Sequence, residues 1–320
     1  MPEGEPKFNQ DEITESTEEI ISSKERVDGA KNMRPKVIDA PLEQQDFFLD
    51  ELKGRTANIY KETLDKYGLV EVEKSETEAK IIQAILERVP EFVEKFGGNP
   101  SDIKVENIRF IDIGEEGEKK GITKEVIPPL LHAFYISGSE SMVVLRDESI
   151  FKEMHRVIHE LLHANSFQSF ESREVPGTSL SQKGVRRMGF MTYDKKVKDW
   201  SLGASFLSIN ESITEELTLK FENQHVDLLT EHTEEKTWPQ LYSYVGDRIR
   251  LQNIIEEIIE KNPAYKEKEE VFNIFAEAAM NGNLLKISRL IEKTFGKGSF
   301  REMGNMPEFS KKYLEVMSWD

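Results

Sequence analysis

The sequence predicts an α+β fold, and three observations carry that prediction. Amphipathic helical patterns fill residues 41–97. Short β-rich segments bounded by glycine or serine gather in the region after residue 103 and run up to a single helix, so that residues 103–170 hold a small sheet and one helix. From about residue 200 to 320 the periodicity is mostly helical.

The elements follow in order. Residues 1–35 read as a disordered acidic tail: residues 1–30 hold nine acids against Lys7, Lys24 and Arg26, a net charge of −6, with few apolar side chains. Such a segment buries too little apolar surface to offset the entropy of ordering it. The folded domain is expected over residues 36–320. A helix is predicted over 41–66, with Phe47, Phe48, Leu52, Ile59 and Leu64 on its buried side, and a second over 76–96, closed by Gly97-Gly98-Asn99-Pro100. Strands are predicted at 108–113, 132–137 and 142–145, then a helix at 151–167 and a strand at 189–193. Helices follow at 207–221, 239–259, 268–280, 283–295 and 307–317, with no internal repeat.

Composition narrows the function. With 320 residues, 38% of them hydrophobic, the chain can bury a substantial core. A net charge of −17 with no basic stripe argues against nucleic acid and against anionic membrane surfaces. No apolar run approaches membrane-spanning length, so no membrane insertion is expected. The first residues show no signal-peptide core, which makes the cytoplasm the expected location. There is no cysteine, hence no disulfide framework and no thiolate ligand. Oligomeric state is not readable.

The chemistry lies in His159-Glu160-Leu161-Leu162-His163, an H-E-x-x-H pattern on the helix over 151–167. Residues four apart share a helix face, so both imidazoles can point at one metal ion, and Glu160 stands close enough to act on a water there. Uncharged Val157, Ile158, Leu161, Leu162 and Ala164 suit a helix buried beneath such a site. His155 lies four residues upstream, but one helix cannot aim three successive turns at one ion. It reads as a packing residue or one that supports a ligand. A zinc site needs a third protein ligand, with its fourth position left open to water. The remaining histidines are His132, His225 and His232, and residues 164–170 lack the glycine and third histidine of an H-E-x-x-H-x-x-G-x-x-H continuation. Forty-seven residues after His163 begins Asn210-Glu211-Ser212-Ile213-Thr214-Glu215, again helical, with Ile209, Ile213, Leu217 and Phe221 as its apolar stripe. Glu211 is the candidate third ligand, with Glu215 or Glu216 as the fallback. Glu215, on the same face as Glu211, is placed to accept the outer N–H of a liganding imidazole.

With these two motifs the chain resembles the gluzincin metallopeptidases, the thermolysin-like branch of the zincins, which pair H-E-x-x-H with a later N-E-x-x-x-D/E helix. The resemblance covers residues 151–218. It implies that His159, His163 and Glu211 bind Zn2+, that Glu160 is the general base, and that Glu215 supports a histidine. It also implies a zincin-like fold in which the small sheet packs on the H-E-x-x-H helix, with an edge strand able to bind an extended peptide by strand addition. Two departures stand out: the interval between motifs is longer than in thermolysin, suggesting an inserted strand and loop, and Glu215 replaces the usual aspartate. Gluzincins add an oxyanion donor from the C-terminal half. Tyr244 is favoured, because Ser-Tyr before an amphipathic helix looks similar to small gluzincin-like proteins, with Tyr242, Tyr193, His225 and His232 left open. The expected activity is zinc-dependent hydrolysis of peptide bonds in a peptide or protein substrate whose identity the sequence does not give. The alternative is a catalytically silent zincin-fold protein that binds metal or a protein partner. A helical adaptor in which the motif is accidental ranks below both.

Overall fold

The computed structural model describes residues 36–38, 58, 60–128, 131–136, 140–174, 181–193, 204–233 and 243–314. The expected acidic tail and most of the helix expected over 41–66 lie outside the described residues. Within that helix, residues 60–67 (α1) are helical.

Strands and helices mix as an α+β arrangement with two sheets. The first sheet has the order β2-β3-β5-β4, formed by Leu69–Val72 (β2), Ile108–Ile113 (β3), Ala133–Ile136 (β4) and Ser141–Leu145 (β5). The central pair β3 and β5 is parallel, and both outer strands run antiparallel to their neighbours. Alternation sorts β5 between two cores. Met142 and Val144 face the main core, while Val143 and Leu145 join Tyr60, Leu69, Ile111, Ile127 and Ile136 on the other face. Both faces are covered, which is why residues 142–145 are continuously apolar.

The helix Glu76–Glu94 (α2) starts with a reciprocal cap. The Ser75 hydroxyl accepts the Glu78 N–H at 3.2 Å, and the Glu78 carboxylate accepts the Ser75 N–H. A short helix, Glu115–Lys119 (α3), follows β3. The motif helix Ile150–Asn165 (α4) then packs on β4 and β5 and on α2. Between the two motifs the chain builds Gln168–Glu174 (β6), Ser181–Met188 (β7), Met191–Tyr193 (β8) and Ala204–Ser205 (β9), which join Lys36–Ile38 (β1) in a second sheet, β1-β6-β7-β8-β9. The longer interval is filled by strands, of which sequence patterning identifies only β8, expected at 189–193. The β6–β7 hairpin escaped because its residues, such as Gln168, Ser169, Ser172, Lys183 and Arg187, are too polar to alternate visibly.

The helical half comprises Leu207–Gln224 (α5), Val226–Thr230 (α6), Val245–Lys261 (α7), Lys268–Asn281 (α8), Leu285–Phe295 (α9), Ser299–Glu302 (α10) and Met306–Tyr313 (α11). Val157, Ile158, Leu161 and Leu162 of α4 share the main core with Ile213, Leu217 and Phe221 of α5 and with Ile254 and Ile258 of α7. This packing fixes α4 against α5 and so positions the site. No helix of the described residues is long and apolar enough to cross a membrane.

One buried polar contact between α4 and α2 makes stability depend on pH. Glu153 of α4 accepts the Asp147 N–H at 2.7 Å and faces Glu78, whose carboxylate is paired with Arg146. Burial, with Glu78 beside it, pushes the Glu153 carboxyl up to about 7. A raised carboxyl favours the folded state most below its unfolded value of about 4.5, and that contribution disappears as pH rises through 7. Glu153→Gln keeps an acceptor for Asp147 and a donor for Glu78 without the titrating charge. Melts should show it more stable than wild type by about 1–2 kcal/mol at pH 8, converging with wild type near pH 5.

Candidate metal centre

Helices α4 and α5 cross antiparallel, and their facing side chains alternate histidine and glutamate. His159 and His163, one turn apart, present their Nε2 atoms 3.0 Å from each other, and Glu211 Oε2 stands 3.2 Å from each. These three donors form the candidate metal cluster among the described residues. Three ligands of a tetrahedral zinc at about 2.0–2.1 Å lie about 3.3 Å apart, so the triangle has nearly the size such an ion requires. Both histidines are buried, and the Glu211 side chain is 12% exposed.

The outer nitrogens decide which face of each ring is free. His159 Nδ1 lies 3.1 Å from Glu215 Oε2, a fully buried carboxylate whose other oxygen accepts the Ser243 N–H at 2.8 Å. Donation from Nδ1 leaves the Nε2 lone pair for a cation. His163 Nδ1 faces the Thr214 hydroxyl at 3.4 Å, and Thr214 spends its own proton on the Asn210 carbonyl at 2.9 Å. Asn210 Oδ1 in turn accepts the Phe190 N–H at 2.8 Å, which pins α5 to the turn before β8. Gly189 in that turn has φ +56°, and a Cβ there would lie 2.3 Å from Asn210 Oδ1, so only glycine fits.

Within the cluster these groups pair with one another. Burial pulls the His159 imidazole down, but hydrogen bonds to Glu211 and Glu215 outweigh it and hold its pKa at about 10. Burial pushes Glu211 and Glu215 up, and their histidine partners more than reverse this, leaving both below the ordinary carboxylate range. Glu160 behaves differently. Burial raises it, against opposing contributions from His163 and His159, and its carboxylate accepts the Tyr135 N–H of β4. The carboxyl is thus tied to the strand at one edge of the first sheet, inside the field of both imidazoles.

Tyr244 reaches the same place from α7. Its ring stacks on His159 with centroids 5.7 Å apart and planes 17° from parallel, and its hydroxyl hydrogen-bonds to Glu211. Burial and the neighbouring carboxylates raise its pKa, so the hydroxyl keeps its proton. Its φ of +50° is unfavourable for a bulky residue and persists only where the surroundings over-determine it. The Ser243 contact with Glu215 and the stacked ring supply that constraint.

The other candidate donors do not join the cluster. His225 caps the C-terminus of α5, fourteen residues beyond Glu211 and about 21 Å along the helix axis, with its ring against Phe221. His232 sits in a separate cavity with Glu76, Ala79 and Val105, and His132 Nε2 lies 3.2 and 3.1 Å from the Lys124 and Ile127 carbonyls. Tyr242 and the Tyr193 side chain lie outside the described residues. Glu216 pairs with Arg248 at 2.9 Å rather than facing the histidines. Sequence patterning gave no role to Glu222, Thr214 or the Tyr135 N–H. Glu222 is one of 60 acids, and a backbone donor carries no residue-type signal. Comparison with protein-family models, with curated proteins and with solved structures finds no match, so the functional reading rests on the geometry of this site.

Proposed function

We propose that the protein is a zinc-dependent metallopeptidase of gluzincin type, with His159, His163 and Glu211 as the metal ligands. The observation that carries the proposal is the convergence of those three donors at 3.0–3.2 Å beside a buried carboxylate, Glu160. Two imidazoles and one carboxylate, with a fourth position open, are the donor set of a catalytic rather than a structural zinc site. When bound, zinc polarises the scissile carbonyl and makes a coordinated water a nucleophile near neutral pH. Glu160 accepts the proton of the attacking water and delivers it to the departing amine. The Tyr135 N–H fixes its carboxylate for both transfers. Tyr244, protonated at neutral pH, turns its hydroxyl from Glu211 to the oxyanion that develops on the carbonyl. Among the described residues strand β4 lies at one edge of its sheet, beside Glu160, where an extended peptide would run along the site. An intact Glu160 favours this reading over a silent zincin-like binder.

Metal analysis of protein purified without chelator, with turnover of a mixed peptide pool before and after chelation, tests the proposal. One equivalent of zinc and chelator-sensitive cleavage are expected. Metal-free protein, or cleavage indifferent to chelation, overturns it. Tyr244→Phe keeps the ring on His159 and removes only the donor. Steady-state kinetics should show kcat lower by about 10²-fold with zinc content unchanged.

A further inference from the structure

The row of facing histidines and glutamates continues past the metal cluster. His155, one turn before His159 on α4, is buried between two carboxylates of α5. Its Nδ1 lies 2.9 Å from Glu222 Oε1, and its Nε2 lies 3.3 Å from the same Glu215 Oε2 that meets His159. All three side chains are at most 5% exposed. A neutral ring donating to Glu222 would turn a lone pair toward the Glu215 carboxylate, whereas a ring carrying both protons faces each carboxylate with an N–H. The two flanking carboxylates favour that charged form. At 3.3 Å the Glu215 contact is an ionic one rather than a well-aligned hydrogen bond.

We propose that His155, held as an imidazolium between Glu222 and Glu215, is a positioning residue that fixes Glu215 on His159 Nδ1 and thereby sets the metal affinity of the site. The inference rests on the reading of His159 as a metal ligand. A fully buried carboxylate needs cationic or N–H partners on every exposed lone pair. Glu215 has the Ser243 N–H on Oε1, and on Oε2 it has His159 and His155. His155 is thus its ionic partner that is not itself a proposed metal ligand, and Glu222 keeps that partner oriented and charged. Without His155 the carboxylate is free to turn off His159, and the imidazole loses the acceptor that fixes its tautomer and direction.

Zinc affinity, measured by competition with a chromophoric chelator, tests this in a double-mutant cycle. Wild type, His155→Gln, Glu215→Ala and the double variant are compared, with the metal-free melt of each as a fold control. His155→Gln should weaken zinc binding by about 10-fold or more, and Glu222→Gln should act in the same direction by less. In the Glu215→Ala background the His155 change should cost nothing further, because it acts through Glu215. A residue that only packs would give the same factor in both backgrounds. Unchanged affinity in His155→Gln, or independent factors in the double variant, overturns the inference while leaving the metal centre standing. Wild type that takes up no zinc overturns the metal centre itself and the inference with it. Should His155→Gln not fold, the cycle is run with Glu222→Gln, which leaves the ring in place.

Discussion

Glu160→Gln is expected to keep the fold and the zinc and to lose peptide turnover by at least about 10²-fold. Glutamine matches glutamate in size, suits a helix, and can still accept the Tyr135 N–H through its carbonyl oxygen. It cannot take a proton from water. Burial raises the Glu160 carboxyl against the opposing pull of His163 and His159, and the substitution removes that titrating group while leaving the side chain's shape in place. Zinc content and the thermal melt serve as controls alongside the kinetics. Equal turnover by wild type and variant on a peptide mixture would sink the mechanism.

His159→Ala should fail differently, losing metal and activity together. Without His159 the site keeps only two protein ligands, so zinc binding should weaken by about 10²-fold or more. Because Glu211 and Glu215 hold the metal-free imidazole protonated up to about pH 10, zinc must displace a proton to bind. Wild-type affinity should therefore rise with pH up to about 10 and fall steadily as the medium is acidified below that, and the variant should lose that component of the dependence. Equilibrium dialysis at several pH values measures both. A variant that retains wild-type zinc affinity would remove His159 from the ligand set.

Most of the candidate site was legible because its parts are local. Two histidines four apart on one helix, and two glutamates four apart on another, share a face by the geometry of the helix alone. Strand β3 and the main part of helices α2, α7, α8 and α9 follow equally from alternation or from amphipathic periodicity. Where the periodicity is masked, the reading failed. The β6–β7 hairpin is polar, and β2 is only four residues long and pairs with β3, which is distant in sequence.

By itself, then, the sequence determined which side chains could act and which faces they occupy. It placed His155 in a packing or supporting role without saying what it supports, and it favoured Tyr244 as the oxyanion donor while leaving Tyr242 open. The tertiary structure decided the pairing of those faces. An antiparallel crossing of α4 on α5 sets His163 and His159 against Glu211, His159 and His155 against Glu215, and His155 against Glu222. A left-handed backbone at Tyr244 aims its ring at His159. Both depend on how the shared apolar core, from Leu161 and Leu162 to Ile213 and Leu217, locks the two helices at one register. Periodicity encodes where a side chain points relative to its own axis, whereas the partner it meets is set by packing between segments dozens of residues apart.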